Sequence, residues 1–116
     1  MSKFHKKMIS NGLCDERGAG FCAIANKLPR GEHGMVALCV KDNMLNIYDT
    51  DIRSNIGDLL YQIKLGDVVC LKSHKFPFYS SLWFVYQGYD YAFNHLIQVK
   101  HSLKVIRDEY NKKFAK

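Results

Sequence analysis

A chain of 116 residues, 47% hydrophobic and 13% aromatic, has the length of one domain, which buries roughly two thirds of the surface its unfolded form exposes. No apolar run approaches ~18 residues, which excludes a transmembrane helix, and the opening Met1-Ser2-Lys3-Phe4-His5-Lys6-Lys7 lacks the apolar stretch of a signal peptide, so the expected compartment is the cytoplasm. The formal net charge of +6 divides as +3 over residues 1–34, −1 over 35–99 and +4 over 100–116, so the middle of the chain is nearly neutral and a polyanion-binding sheet is disfavoured.

Residues 1–20 are polar and contain Gly12, Gly18 and Gly20, the composition of a flexible N-terminal extension ahead of one domain over 21–116. Phe21, Ile24 and Leu28 recur at i, i+3 and i+7 and predict a short helix that Pro29 ends, because the residue before a proline is driven out of the helical region. Arg30-Gly31-Glu32 is then the turn into a sheet. Met35–Val40 is apolar throughout and reads as a strand covered on both faces. Lys41-Asp42-Asn43 is a hairpin turn into Met44–Asp49, where Leu45 and Ile47 face one way and Met44, Asn46 and Tyr48 the other.

Residues 50–58 are turn-rich and predict the longest loop within the sheet. A strand over Leu59–Leu65 follows, then Gly66-Asp67 as a turn and a strand from Val68 to about His74. Past Pro77, Ser80–Tyr86 alternates Leu82, Phe84 and Tyr86 against Trp83 and Val85. Gln87-Gly88 is a two-residue turn, and Tyr89, Tyr91 and Phe93 alternate on the next strand. Asn94 is placed to cap a final helix, in which Leu96, Val99, Leu103, Ile106 and Tyr110 form one apolar stripe. Such a stripe is buried against the sheet's concave face or open end.

Candidate chemical groups are few. Cys14, Cys22, Cys39 and Cys70 form no C-x-x-C pair and read as reduced thiols. Asp49-Thr50-Asp51 has the spacing for a divalent cation, but no calcium-loop or phosphate-loop glycines surround it, so strand-end carboxylates are the expectation. His5, His33, His74, His95 and His101 make no H-x-x-x-H pair, and Cys70 and His74, four apart on a strand, stand about 13 Å apart. No catalytic residue, metal or cofactor is therefore expected. Aromatics interleaved with lysine on a sheet can stack bases, yet alternation turns about half of them inward, which favours a core plus a partner-facing patch. Phe76-Pro77-Phe78-Tyr79 is an apolar tip at a strand connection, a position that marks a contact when exposed.

The opening strand ending in Ala37-Leu38-Cys39, the Leu45-x-Ile47-Tyr48 strand, Ile63-x-Leu65-x-Asp67-Val68 and the Tyr86–Phe93 hairpin followed by a helix resemble the pleckstrin-homology-like superfamily, in its GRAM-like and bacterial PH-like branches. The similarity covers about residues 32–113. It implies an α+β, mainly β fold, an antiparallel half-open barrel of six to seven strands closed by a C-terminal amphipathic helix. Six strands are readable, so the seventh comes either from a break within Gly66–Phe78 or from the N-terminal stretch. The resemblance also implies a non-catalytic scaffold for binding protein or phospholipid. In this chain the first loop offers Lys41 beside Asp42 rather than a cation cluster, which argues against specific inositol-phosphate recognition. The expected activity is protein–protein contact or self-association through Phe76, Phe78, Tyr79 and Trp83. The alternative is weak, peripheral anionic-lipid contact through Lys72, Lys75, Lys100 and Lys104. A hydrolase or a nucleic-acid binder is the remaining alternative, and no small-molecule substrate is expected.

Overall fold

The computed structural model describes residues 3–10, 12, 19–41, 43–50, 56–75, 80–96 and 100–111. A helix, α1 (Lys3–Ser10), precedes seven strands: β1 (Ala19–Lys27), β2 (Gly34–Lys41), β3 (Met44–Thr50), β4 (Ile56–Lys64), β5 (Val69–Lys75), β6 (Ser80–Tyr86) and β7 (Tyr89–Leu96). One 3-10 turn, Leu65–Asp67, joins β4 to β5, and α2 (Lys100–Asn111) follows β7. The strands form one antiparallel sheet in the order β4-β3-β2-β1-β7-β6-β5.

The helix expected over Phe21–Leu28 is instead β1, and this N-terminal stretch supplies the seventh strand. Ile24 lies opposite Met35 of β2 on one side and Asn94 of β7 on the other, so β1 has hydrogen-bonded neighbours on both edges. That pairing overrides the helix preference of its alanines. Leu28, the last residue of the supposed stripe, lies past the strand and is buried in the core. The short N-terminal helix is α1, earlier in the chain, inside the stretch expected to be an extension. Its Met8 is fully buried against Ala37 and Cys39, with Ile9, Tyr48 and Ile56 beside them.

This contact explains why β2 is apolar throughout. Val36, Leu38 and Val40 face the main core, whereas Ala37 and Cys39 face the other way, under α1, and all five are buried. Strand β4 begins at Ile56, so the loop expected over 50–58 is shorter; residues 51–55 lie outside the described residues.

The sheet curls without closing. Tyr61 of β4 meets Tyr91 of β7 edge to face at 5.5 Å, although three strands lie between them in the order. Leu45, Ile47 and Ile63 share one core with Leu82, Phe84 and Phe93. Strand β7 runs to Leu96, so Asn94 is a strand residue rather than a helix cap, and α2 starts at Lys100. Of the expected stripe, Ile106 is fully buried in the core and Tyr110 packs against it; Val99 and the side chain of Leu103 lie outside the described residues. At the β6–β7 turn Gln87 and Gly88 have φ of 52° and 82°, the two left-handed residues that a tight hairpin needs to match strand twist.

Candidate functional site

Two groups of polar and aromatic side chains stand out, one on the outer face of β5–β7 and one at the turn between β1 and β2. On β6, burial of Leu82 and Phe84 turns Trp83 and Val85 outward. Cross-strand register sets Lys72 opposite Trp83 and Val69 opposite Val85. The Lys72 Nζ stands 5.4 Å from the Trp83 ring centroid, a cation–π contact worth about 0.5–1 kcal/mol at an exposed site. Val69 is 48% exposed on this face, whereas α1 covers Ala37 and Cys39 on the other half of it; Tyr89, 57% exposed, lies opposite Tyr86 and shares the face of Tyr91 instead. Lys27 and Asp90 form an exposed ion pair at 3.2 Å beside it.

The expected site residues are thus partly brought together. Trp83 and Lys72 are neighbours. Lys104 is exposed on α2, one turn before Arg107, whose Nη2 donates to Ser73 Oγ of β5 at 2.8 Å. Lys75 ends β5 and Lys100 opens α2, but their side chains lie outside the described residues. Phe76, Phe78 and Tyr79 lie outside them as well. A bulge between Val69 and Lys72 interrupts β5, and within it Cys70 has φ of 57°. The strand is therefore not the uniform ladder on which the Cys70–His74 spacing was reckoned.

The second group was not legible in the sequence beyond its turn residues. Leu28 O accepts from Gly31 N at 2.9 Å, and the turn carries Arg30 and Glu32 to the side chain of Tyr61. The Tyr61 hydroxyl accepts from Arg30 N at 3.0 Å and Arg30 Nε at 3.1 Å, and donates to Glu32 Oε1 at 2.7 Å. Arg30 Nη2 reaches Glu32 Oε2 at 3.2 Å and donates to the Leu60 carbonyl at 2.9 Å. The hydrogen bond to Tyr61, foremost, raises the Arg30 guanidinium pKa. Burial alone would raise the Glu32 carboxyl. The Tyr61 bond, backbone N–H donors and Arg30 together outweigh it and hold Glu32 below its ordinary range. Behind Tyr61, burial first and then the hydroxyls of Tyr61 and Tyr86 push Tyr91 up to about 12.

Elsewhere Asp49 is exposed on β3, and Asp51 lies outside the described residues. Among the described residues no three His, Cys, Asp or Glu side chains stand close enough to share a metal ion, and no helix is long and apolar enough to cross a membrane. Cys22, Cys39 and Cys70 are thiols outside any disulfide, and burial, with a hydrogen bond to Cys39, raises the Tyr48 hydroxyl pKa. Asn46 is the buried polar residue of β3, and its Oδ1 has no hydrogen-bond partner among the described residues. Compared with protein-family models, the chain matches none. A search of curated proteins likewise finds no match.

Proposed function

We propose that this chain is a non-catalytic binding and assembly module on a PH-like half-open barrel, with α2 closing the barrel. The strand order, a seven-strand antiparallel sheet in which β1 bridges β2 and β7, with α2 following β7, supports that architecture. The observation that carries the function is the partly exposed apolar group on the outer face of β5 and β6. Val69, Trp83 and Val85 stand there together, whereas α1 covers the corresponding face of β2. An aromatic residue, Trp83, beside the aliphatic pair Val69 and Val85, rimmed by Lys72, suits a protein contact with a dry centre and a polar edge. Self-association is the form of it we favour.

Light scattering coupled to size exclusion tests this reading. The wild-type chain is expected to exceed one chain in mass, and Val69→Ser with Val85→Ser is expected to return it to one chain that remains folded by circular dichroism. A wild type that stays a single chain at every concentration refutes self-association through this face. The lipid reading draws on the exposed cations Lys72 of β5 and Lys104 and Arg107 of α2. It predicts salt-sensitive sedimentation with vesicles rich in acidic lipid and none with neutral vesicles.

A further inference from the structure

We propose that the β1–β2 turn and β4 form a receptor for an arginine side chain presented by a partner protein, and that Arg30 occupies this receptor in the free chain. The group lies on the core-facing side of the sheet, apart from the outer face of β5 and β6, and does not depend on that face. The Arg30 Cζ stands 4.8 Å from the Tyr61 ring centroid, and Nε donates to the Tyr61 hydroxyl at 3.1 Å. Nη2 donates to the Leu60 carbonyl at 2.9 Å and meets Glu32 Oε2 at 3.2 Å. A π face, a hydroxyl, a carbonyl and a carboxylate around one planar cation are the groups that recognise arginine. They select a guanidinium because Nε and Nη2 are separate donors of a fixed fork, whereas a lysine presents all its donors from one nitrogen. The charge balance agrees with this geometry. The Tyr61 bond raises the Arg30 pKa, and Glu32 is held below the ordinary carboxylate range, so the receptor keeps its negative charge.

The receptor stands without its occupant. The Tyr61 hydroxyl is also bonded to the Arg30 backbone N–H at 3.0 Å and to Glu32 Oε1 at 2.7 Å, and neither contact uses the guanidinium. The Tyr61 ring meets Tyr91 edge to face at 5.5 Å, and Leu60 packs against the core. Arg30, by contrast, sits at a turn, and its side chain is 63% exposed against 28% for Glu32. Rotation about its own side-chain bonds takes the guanidinium away and leaves every receptor group in place. The rim points to a protein as the source of the second arginine. The Tyr86 and Tyr91 ring centroids are 6.4 Å apart, and Tyr89, opposite Tyr86, is 57% exposed on the same face. Tyrosine and arginine are the residue types that gather at the centres of protein contacts. Arg30 is a tethered competitor at an effective concentration in the millimolar range. A partner's arginine therefore displaces it only when the residues around that arginine also make contact.

The experiment is an NMR titration of the chain with Nα-acetyl-arginine methylamide, with Nα-acetyl-lysine methylamide as the control. Arg30→Ala removes the occupant and keeps its backbone N–H, and Arg30→Met, which retains most of the stem, serves if Arg30→Ala unfolds. The emptied variant, folded by circular dichroism, is expected to show saturable shifts centred on Tyr61 with a Kd in the millimolar range. The wild type is expected to bind the same probe roughly tenfold more weakly, because Arg30 competes. Adding Glu32→Gln to the emptied variant is expected to weaken binding by at least about tenfold, the loss of one charge-assisted hydrogen bond. The proposal is overturned if the emptied variant, folded, binds no capped arginine, or binds capped lysine as tightly. Binding that is as tight in the wild type, or that is indifferent to Glu32→Gln, puts the probe elsewhere on the molecule and overturns it equally.

Discussion

Replacing Tyr61 with Phe removes one oxygen and leaves the ring that meets Tyr91 at 5.5 Å. The lost oxygen accepts from Arg30 N and Nε and donates to Glu32 Oε1. Hydrogen bonds to charged groups contribute about 1.5–3 kcal/mol, but the Glu32 side chain is 28% exposed, and water replaces part of what is lost, so the expected cost is about 1–2 kcal/mol. For 116 residues the unfolding entropy near the midpoint is about 0.24 kcal/mol/K, which makes the expected drop in Tm about 4–8 °C. The pH dependence supplies a second signature. Glu32 has a folded pKa below its unfolded one, so its contribution is present above the unfolded carboxylate range and is lost as pH falls through the folded value. Arg30 stays charged throughout. The gap between wild type and Tyr61→Phe, followed by thermal melts from neutral to acid pH, is therefore expected to narrow in acid. A gap under about 0.5 kcal/mol at neutral pH, the scatter of ordinary surface substitutions, refutes this account of the Tyr61, Arg30 and Glu32 contacts, and so does a gap that acid leaves unchanged.

Ile106 is fully buried where α2 meets the core, so Ile106→Ala is expected to cost about 2–5 kcal/mol by urea denaturation; a change under about 1 kcal/mol means that α2 is not docked. Asn46→Val removes the unpartnered acceptor on β3 and is expected to leave stability level or higher, and a loss above about 2 kcal/mol in the same assay shows that Oδ1 has a partner. Tyr91, pushed to about 12, has a folded pKa above its unfolded one, so the stability tied to it is complete below about pH 10 and is lost as pH rises towards 12, by about 2–3 kcal/mol. Tyr91→Phe is expected to flatten this alkaline limb in pH-dependent melts; an unaltered limb assigns it to other groups.

How far the sequence carried depended on how strongly each segment's side chains mark one face. Strand β6 was legible to the residue, Ser80–Tyr86, because large apolar side chains alternate strictly and Gln87-Gly88 ends it. Strand β2 was legible as doubly covered, though not what covers it, since Met8 lies about thirty residues away in a polar stretch. Strand β1 was misread because Ala23 and Ala25, its core-facing residues, are small enough to suit a helix, while Phe21, Ile24 and Leu28 happen to fall at helical spacing. Nothing local records that both its edges are bonded to strands distant in sequence. In the candidate site, Lys72 and Trp83 were each named, but their contact depends on a register that the bulge in β5 sets. The Arg30, Glu32 and Tyr61 group combines a turn with the side chain of a residue some thirty positions on, a distance across which periodicity has no reach.

The position of β1 between β2 and β7 also governs the order in which the chain can be completed as it is made. Ile24 pairs with Met35 soon after synthesis, but its other neighbour, Asn94, follows 70 residues later (94 − 24). At about 5–20 residues per second the interval is roughly 4–14 s. Throughout it, one of the first strands to leave the ribosome presents an open backbone ladder at what becomes the centre of the sheet. Closing that ladder requires the most non-local pairing in the sheet, the kind of contact that slows folding. The nascent protein's exposure to mispairing is therefore set less by the strands that end at the rim of the finished sheet than by the one that ends in its middle.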